Sequence, residues 1–305
     1  MSITLIMFKQ LIIMIIYMGI GFILFKKNML SKNGSKELGT LLLYVILPSA
    51  IINSYCVEKN AETVSAFFVS FILSLAALCL AMIVCSVMFR RNKIANFGVS
   101  FSNAGFMGIP IVSAVLGKEM VFYVSSFVAL LNIFQWTYGV MVFTENKDSI
   151  KAKSLSKNPI LISMVIGVVL FFSQISLPSI VSTAISSIAA LNAPVAMIIL
   201  GAYLAQADLK TVFNCKELYS QSAVRLILIP VLTGIIMIIS SALIQLKHEA
   251  YLAILIAASA PVGSNVAIFA EKHGLDYVYA GRLVCLSTLL SVISMPIIVG
   301  VFNIV

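Results

Sequence analysis

The sequence predicts an all-α polytopic membrane protein: ten membrane-spanning helices in two inverted five-helix repeats, with the fourth and ninth helices broken. Three observations carry that expectation. Hydrophobic residues make up 61% of the 305 positions and charged residues only 10%, with a mean hydropathy of +1.10; a soluble domain of this size could not cover its core with so little polar surface. Lysines and arginines sort into alternate loops. The longest polar stretch, Thr144 to Pro159 (TENKDSIKAKSLSKNP), divides the apolar runs five and five. Strand-length alternation between turns, the sign of a membrane barrel, is absent.

A helix needs about 20 apolar residues to cross the hydrocarbon. Cutting the chain at its charged and turn-rich stretches gives spans near 3–25, 38–55, 64–89, 94–116, 120–144, 159–177, 181–206, 223–246, 251–270 and 277–303. The first run is expected to be a retained span and not a signal peptide. It lacks a basic start, and Lys26-Lys27 stand where a small-residue cleavage site would be needed. The sixth and seventh runs are parted only by the short, uncharged FSQISLPS, Phe172 to Ser179.

Ten spans put alternate loops on one side. One set holds Lys26, Lys27, Lys32, Lys36, Arg90, Arg91, Lys93, Lys147, Lys151, Lys153, Lys157, Lys210, Lys216, Arg225, Lys272 and Arg282, sixteen in all; the other holds only Lys9, Lys59, Lys118 and Lys247. This asymmetry places both termini outside the cell membrane, and it accounts for the net charge of +9 without a nucleic-acid partner. Five spans per half make the second half enter from the opposite face, so a duplicated unit would be inverted. Residues 1–145 then form the first repeat, 146–158 a cytoplasmic linker and 159–305 the second. IGFILF from Ile20 resembles IGVVLF from Ile166, and Pro48 matches Pro194, each pair 146 residues apart.

The fourth span poses a question. Ile94 to Leu116 is 23 residues without a charge, yet its middle reads FSNAGFMGIPIV, Phe101 to Val112. Asparagine, glycine and proline there weaken or interrupt a helix, exposing backbone groups that lipid cannot satisfy. The ninth span carries a counterpart in AASAPVGSNVAIF, Ala257 to Phe269. Paired breaks in corresponding spans of opposed halves point to a binding site at the membrane midplane.

The residue types indicate what such a site would hold. Pro110 and Pro261 suit the first turn of a restarted helix, whose open amides and positive dipole end face the membrane centre. Asn103 and Asn265 supply amide groups, and Ser102, Ser259 and Ser264 supply hydroxyls. Gly105, Gly108 and Gly263 allow close backbone approach. The expected ligand is an anion, most simply a carboxylate. A helix end contributes only about 0.3–2 kcal/mol to binding a charge, far less than full dehydration costs. The pocket should therefore stay partly wet and favour a monoanion. Ordinary kinking and packing is the alternative for either span alone.

These residues also resemble a family. SNAGFMGIP (Ser102 to Pro110), APVGSNVAIFAEK (Ala260 to Lys272) and MIILGAYLA (Met197 to Ala205), with Trp136, Glu145 and Pro296, resemble the auxin efflux carrier family of plant PIN carriers and bacterial permeases. The resemblance covers nearly the whole chain. It implies crossing broken helices 4 and 9, an architecture like that of bile-acid symporters, and homodimers of ten-span protomers. It also implies a scaffold of spans 1, 2, 6 and 7, and a transport unit of spans 3–5 and 8–10 that moves like an elevator. By the same resemblance Asn103 is the crossover asparagine and Asn132 a polar fifth-span residue facing substrate. Ser102 stands where plant carriers have a proline, Val266 near their second ninth-span proline, and the long hydrophilic central loop is missing. The expected substrate is thus a small organic acid, malate-like or auxin-like.

Ionisable groups inside spans normally mark proton relays. No Asp, Glu or His falls near the centre of any span. Asp208 ends the seventh span near Lys210 and is expected to be solvated, Arg282 is expected to snorkel to the cytoplasm, and His248 and His273 are expected to be exposed in loops. Uniport, or Na⁺ coupling as in a sodium-coupled organic-anion symporter of the bile-acid type, remains open; no other cofactor is implied. An enzyme would need a nucleophile–base or metal set that two loop histidines do not supply. Cys56, Cys79, Cys85, Cys215 and Cys285 show no metal or redox spacing and read as apolar fillers.

Overall fold

The structure is a computed structural model and describes residues 3–145, 156–206, 209–244 and 246–304. Most of the expected linker, including Lys147, Lys151 and Lys153, lies outside the described residues, as does Asp208. Helix makes up 84% of the chain, and the described residues contain no strand. The chain is a multi-pass membrane protein. Its helices are α1 (Ile3–Lys26), α2 (Lys32–Ser54), α3 (Ala61–Met88), α4 (Lys93–Ser100), α5 (Ala104–Val115), α6 (Lys118–Thr144) and α7 (Pro159–Ser173). They continue with α8 (Ser179–Gln206), α9 (Leu209–Phe213), α10 (Lys216–Leu243), α11 (His248–Ser259), α12 (Asn265–Lys272) and α13 (Tyr277–Ile304).

Seven of these, α1, α2, α3, α6, α8, α10 and α13, are long and apolar enough to cross a membrane. The remaining three intervals expected from sequence hold shorter pieces: α4 with α5, α7 alone, and α11 with α12. Polar residues set the starts. Ser31 accepts the Gly34 amide at 2.9 Å to open α2, Asn60 and Thr63 form a capping box on α3, and Asn92 accepts the Ala95 amide at 2.9 Å before α4. Asn158 caps α7, where Pro159 occupies a first-turn position that needs no donor.

Prolines shape the interiors. Wide π-helical turns cover Leu42–Ile46, Ala104–Gly108 and Val224–Leu228, and Pro48, Pro110 and Pro230 each follow by two residues. Proline has no N–H and its ring crowds the carbonyl four residues back. In all three cases that carbonyl, on Tyr44, Phe106 or Leu226, is the middle residue of the wide turn, which makes room for the ring. A fourth wide turn, Gln135–Gly139 in α6, has no following proline.

Glycines allow the tightest helix contacts. Gly21 of α1 lies against the Ile198 backbone of α8, and Gly201 of α8 lies against the Met18 backbone of α1. Gly167 of α7 lies under the Tyr55 ring at the end of α2. Outward faces carry exposed Ile16, Ile23, Val87, Val165 and Leu243, as lipid contact requires.

Two expectations change. Arg225, counted above as a loop charge, is only 1% exposed inside α10, because helix begins at Lys216 on a polar first turn rather than near 223. His273 is half-buried and not exposed, its ring 6.0 Å from Phe143 and 6.5 Å from Phe269. Burial, then the Lys272 charge, hold its pKa below the ordinary imidazole value.

Candidate functional site

The two interrupted helices meet. α4 ends at Ser100, and Phe101 turns extended at φ −112°, ψ 113°. Ser102 and Asn103 have short polar side chains that favour non-helical backbone. α11 ends at Ser259 because Pro261 pushes Ala260 to extended geometry, φ −60°, ψ 150°. The two extended segments then pair antiparallel, Ser102 opposite Val262. The Asn103 amide donates to the Pro261 carbonyl at 2.7 Å, and the Gly263 amide donates to the Phe101 carbonyl at 3.0 Å. The Val262 amide donates to Ser287 Oγ of α13 at 3.2 Å. Backbone groups that hydrocarbon would leave unpaired are thus satisfied within the protein.

Gly263 favours this approach. A Cβ there would lie 3.2 Å from both the Phe101 and Ser102 carbonyl oxygens. Gly108 serves the next turn of α5, where a Cβ would lie 3.3 Å from Ala257 Cα of α11.

Asn103 begins α5. Its carbonyl accepts the Met107 amide at 2.9 Å and the Gly108 amide at 3.2 Å, the second closing the wide turn. Its side chain makes no capping bond, and its side-chain nitrogen, Nδ2, is buried without a partner. The amides of Ala104, Gly105 and Phe106 have no intrahelical acceptor to reach. The neighbouring Ser102 hydroxyl is likewise buried and unpartnered. The start of α5 is therefore rich in donors that the protein leaves free.

The start of α12 is tied off instead. Asn265 Nδ2 donates to Gln135 Oε1 at 2.9 Å. The Val266 and Ala267 amides donate to the Gly263 and Ser264 carbonyls at 3.2 and 3.3 Å. Ser264 itself is buried.

The two prolines differ in place. Helix resumes at Ala104 with the wide turn, and Pro110 stands in the first turn of the α-helical part that follows, Ile109–Val115. Pro261 does not open α12, which begins at Asn265; it lies within the extended crossing and contributes its carbonyl there. Asn132 is buried in α6, and its amide donates to Val128 of its own helix at 2.8 Å; no hydrogen bond ties it to the crossing. Gly105 packs near Leu47, and its carbonyl accepts Asn192 Nδ2 of α8 at 3.2 Å.

Sequence reasoning missed Arg225, Gln135, Asn192 and Ser287. Arg225 approaches the crossing from α10. Its Nη1 donates to the Val99 and Ser100 carbonyls at 3.0 and 3.4 Å, its Nε to Ala260 at 3.1 Å, and its Nη2 to Ala258. Its signal was a lone cation between apolar residues in AVRLILIP, five positions before a proline.

A cavity of about 320 Å³ lies beside α5. One wall is Ala50, Asn53 and Ser54 of α2 with Ser186, Ala189, Ala190, Asn192 and Ala193 of α8; the other is Ile109, Pro110, Ser113 and Ala114 of α5, with Lys118 at the exposed end. Asn192 joins the cavity to the break, since it lines the cavity and clasps Gly105, while its Oδ1 is buried without a partner. Among the described residues no cluster of His, Cys, Asp and Glu could hold a metal ion.

Comparison with known proteins gives one family. The sequence model of the family described as "membrane transport protein" matches residues 6–299. Comparison with curated proteins finds no match.

Proposed function

The chain belongs to the membrane transport protein family, that of the auxin efflux carriers, and from that membership we propose that it is a secondary carrier of small organic anions. The substrate class is carboxylates, malate-like or auxin-like, held where α4–α5 crosses α11–α12. The observation that carries this reading is the donor-rich start of α5: the unpartnered Asn103 side-chain Nδ2, the Ser102 hydroxyl and the open first-turn amides. Such a helix start favours an anion through both hydrogen bonds and its positive dipole end. Carriers with broken helices use this device for substrate carboxylates.

The wider plan follows the same reading. Ten spans form two inverted five-helix repeats, with scaffold spans 1, 2, 6 and 7 and transport spans 3–5 and 8–10. Packing supports it: the α1–α8 contact uses Gly21 and Gly201, the α7–α2 contact uses Gly167 and Tyr55. Gly21 and Gly167 stand 146 residues apart, as do Tyr55 and Gly201, the offset found in the sequence. The cavity lies between α2 and α8 on one side and α5 on the other, where an elevator motion of the transport unit would carry substrate past the scaffold. The carrier works as a homodimer in the plasma membrane, with both termini outside.

The test is uptake of labelled organic acids into liposomes containing the purified protein, preceded by a thermal-shift screen of the same acids. Saturable uptake that Asn103→Ala lowers at least tenfold is expected. Uptake unchanged by that substitution would remove the crossing as the binding site, and no binding or uptake of any acid in the screen would remove the substrate class.

A further inference from the structure

We propose that Arg225 is a resident cation of the crossing, occupying permanently the carbonyl cage that a co-transported Na⁺ would otherwise need. The proposal rests on the carrier reading above and adds how the site is charged. The side chain is 1% exposed and its guanidinium touches four backbone carbonyls, on Val99, Ser100, Ala258 and Ala260. These are the last two residues of α4, the last but one of α11 and the residue that follows α11. No carboxylate lies within ion-pair distance of Arg225 among the described residues, so the backbone alone balances its charge.

The electrostatics match. Each helix end presents the equivalent of about half a negative charge, so two converging ends offset roughly one positive charge. A buried cation without such compensation would be strongly disfavoured. The planar fork of five donors spans two helix ends at once, which a point-like ammonium does not. Arg225 lies in the wide turn at Val224–Leu228, the turn that makes room for the Pro230 ring.

The consequence is directional. In carriers built on broken helices, unwound carbonyls and half-helix C-terminal ends coordinate the coupling Na⁺ or H⁺, while N-terminal ends face the anionic substrate. Here the C-terminal carbonyls are taken by a side chain that cannot leave or deprotonate. The N-terminal donors of α5 remain free. The crossing therefore keeps its positive counter-charge throughout the cycle and binds no coupling cation between α4 and α11.

Two measurements on the purified full chain test this. The first is radioactive-sodium binding and melting temperature of the wild type, comparing sodium with choline at about 150 mM, physiological ionic strength. No saturable sodium binding and a melting shift under about 1 °C are expected. Saturable binding, or a stabilisation of several degrees by sodium, overturns the proposal. The second uses Arg225→Ala and Arg225→Met. Both should melt lower, and Arg225→Ala should regain stability with low, non-denaturing methylguanidinium or gain saturable sodium binding, neither of which a merely space-filling side chain would produce. Arg225→Met with wild-type melting, or a folded Arg225→Ala that responds to neither cation, overturns it; if neither variant folds, the wild-type measurement decides. Failure of the acid screen would instead strike the substrate class, leaving the sodium result to stand.

Discussion

The two breaks have the same ingredients and opposite hydrogen-bond economies. At the first, Asn103 leaves its side-chain Nδ2 unpartnered, and α5 starts with open backbone amides. At the second, Asn265 is bonded to Gln135 at 2.9 Å, and the first amides of α12 close onto Gly263 and Ser264. Composition is nearly alike, so pairing decides which break can accept a ligand. The first is equipped to bind; the second holds the geometry in which binding happens. The cavity lies along the later part of α5, Ile109 to Ala114, and touches neither α11 nor α12; Asn192, which clasps Gly105, is its link to the first break.

The largest expected effect breaks the contact on which both depend. Gly263→Val places a branched side chain where a single Cβ would already lie 3.2 Å from two carbonyl oxygens. Forcing it in costs about 1–3 kcal/mol as overpacking, and losing the Gly263–Phe101 hydrogen bond leaves a buried pair unsatisfied for about 1–3 kcal/mol more. Uptake should vanish and the melting temperature should fall. A variant with wild-type uptake would show that the crossing need not be closed.

The asparagines separate the roles. Asn103→Ala removes a buried donor that has no protein partner, so melting should hold or rise, while uptake falls at least tenfold, about 1.4 kcal/mol. Asn265→Ala strands Gln135 Oε1 and should lower stability by about 1–3 kcal/mol, with uptake of the folded fraction reduced only two- to threefold, about 0.5 kcal/mol. Measuring melting and uptake on both variants gives opposite patterns. The same pattern in both would make the breaks equivalent.

These pairings also mark how far the sequence could be read. Proline, glycine and asparagine inside uncharged runs revealed both breaks, because each residue type acts on its own backbone. That Asn265 would find Gln135, 130 positions away, leaves no local trace. Arg225 was misplaced for a related reason: KELYSQSA, Lys216 to Ala223, reads as loop by polarity, yet it forms the first turns of α10. Helix there puts Arg225 nine residues in, roughly 14 Å along the axis, well past the point where a loop charge would lie. The short α7 was legible as apolar but not as fifteen residues long. Its neighbour, the turn before α8, carries no charge to mark the boundary.

The Asn265–Gln135 bond itself can be isolated. Gln135→Ala, Asn265→Ala and the double variant form a cycle whose coupling should be about 0.5–1.5 kcal/mol in stability. Coupling in uptake should be smaller than coupling in melting, because the bond braces α12 against α6 and touches no free donor of α5. Greater coupling in uptake would move part of the binding role to the second break.

The smallest effect concerns two exposed lysines, one at the far end of α5 and one at the far end of α11 from the crossing. Lys118 lines the mouth of the cavity on the α5 side, whereas Lys247 caps the start of α11 and pairs with Glu62 at 3.0 Å. The hydrogen-bonded Glu62 carboxylate raises the Lys247 pKa, so any stability from that pair is present below the lysine's unfolded pKa and lost as pH rises through the folded one. Neither charge touches the crossing. Lys118 can still concentrate anions at the cavity mouth, a steering effect that salt suppresses. Lys118→Gln should therefore raise the KM for a carboxylate about twofold at low ionic strength, leave kcat unchanged, and match the wild type at high salt. Lys247→Gln should change neither. Equal KM changes at the two positions would mean that surface charge acts diffusely, and that substrate does not enter along α5.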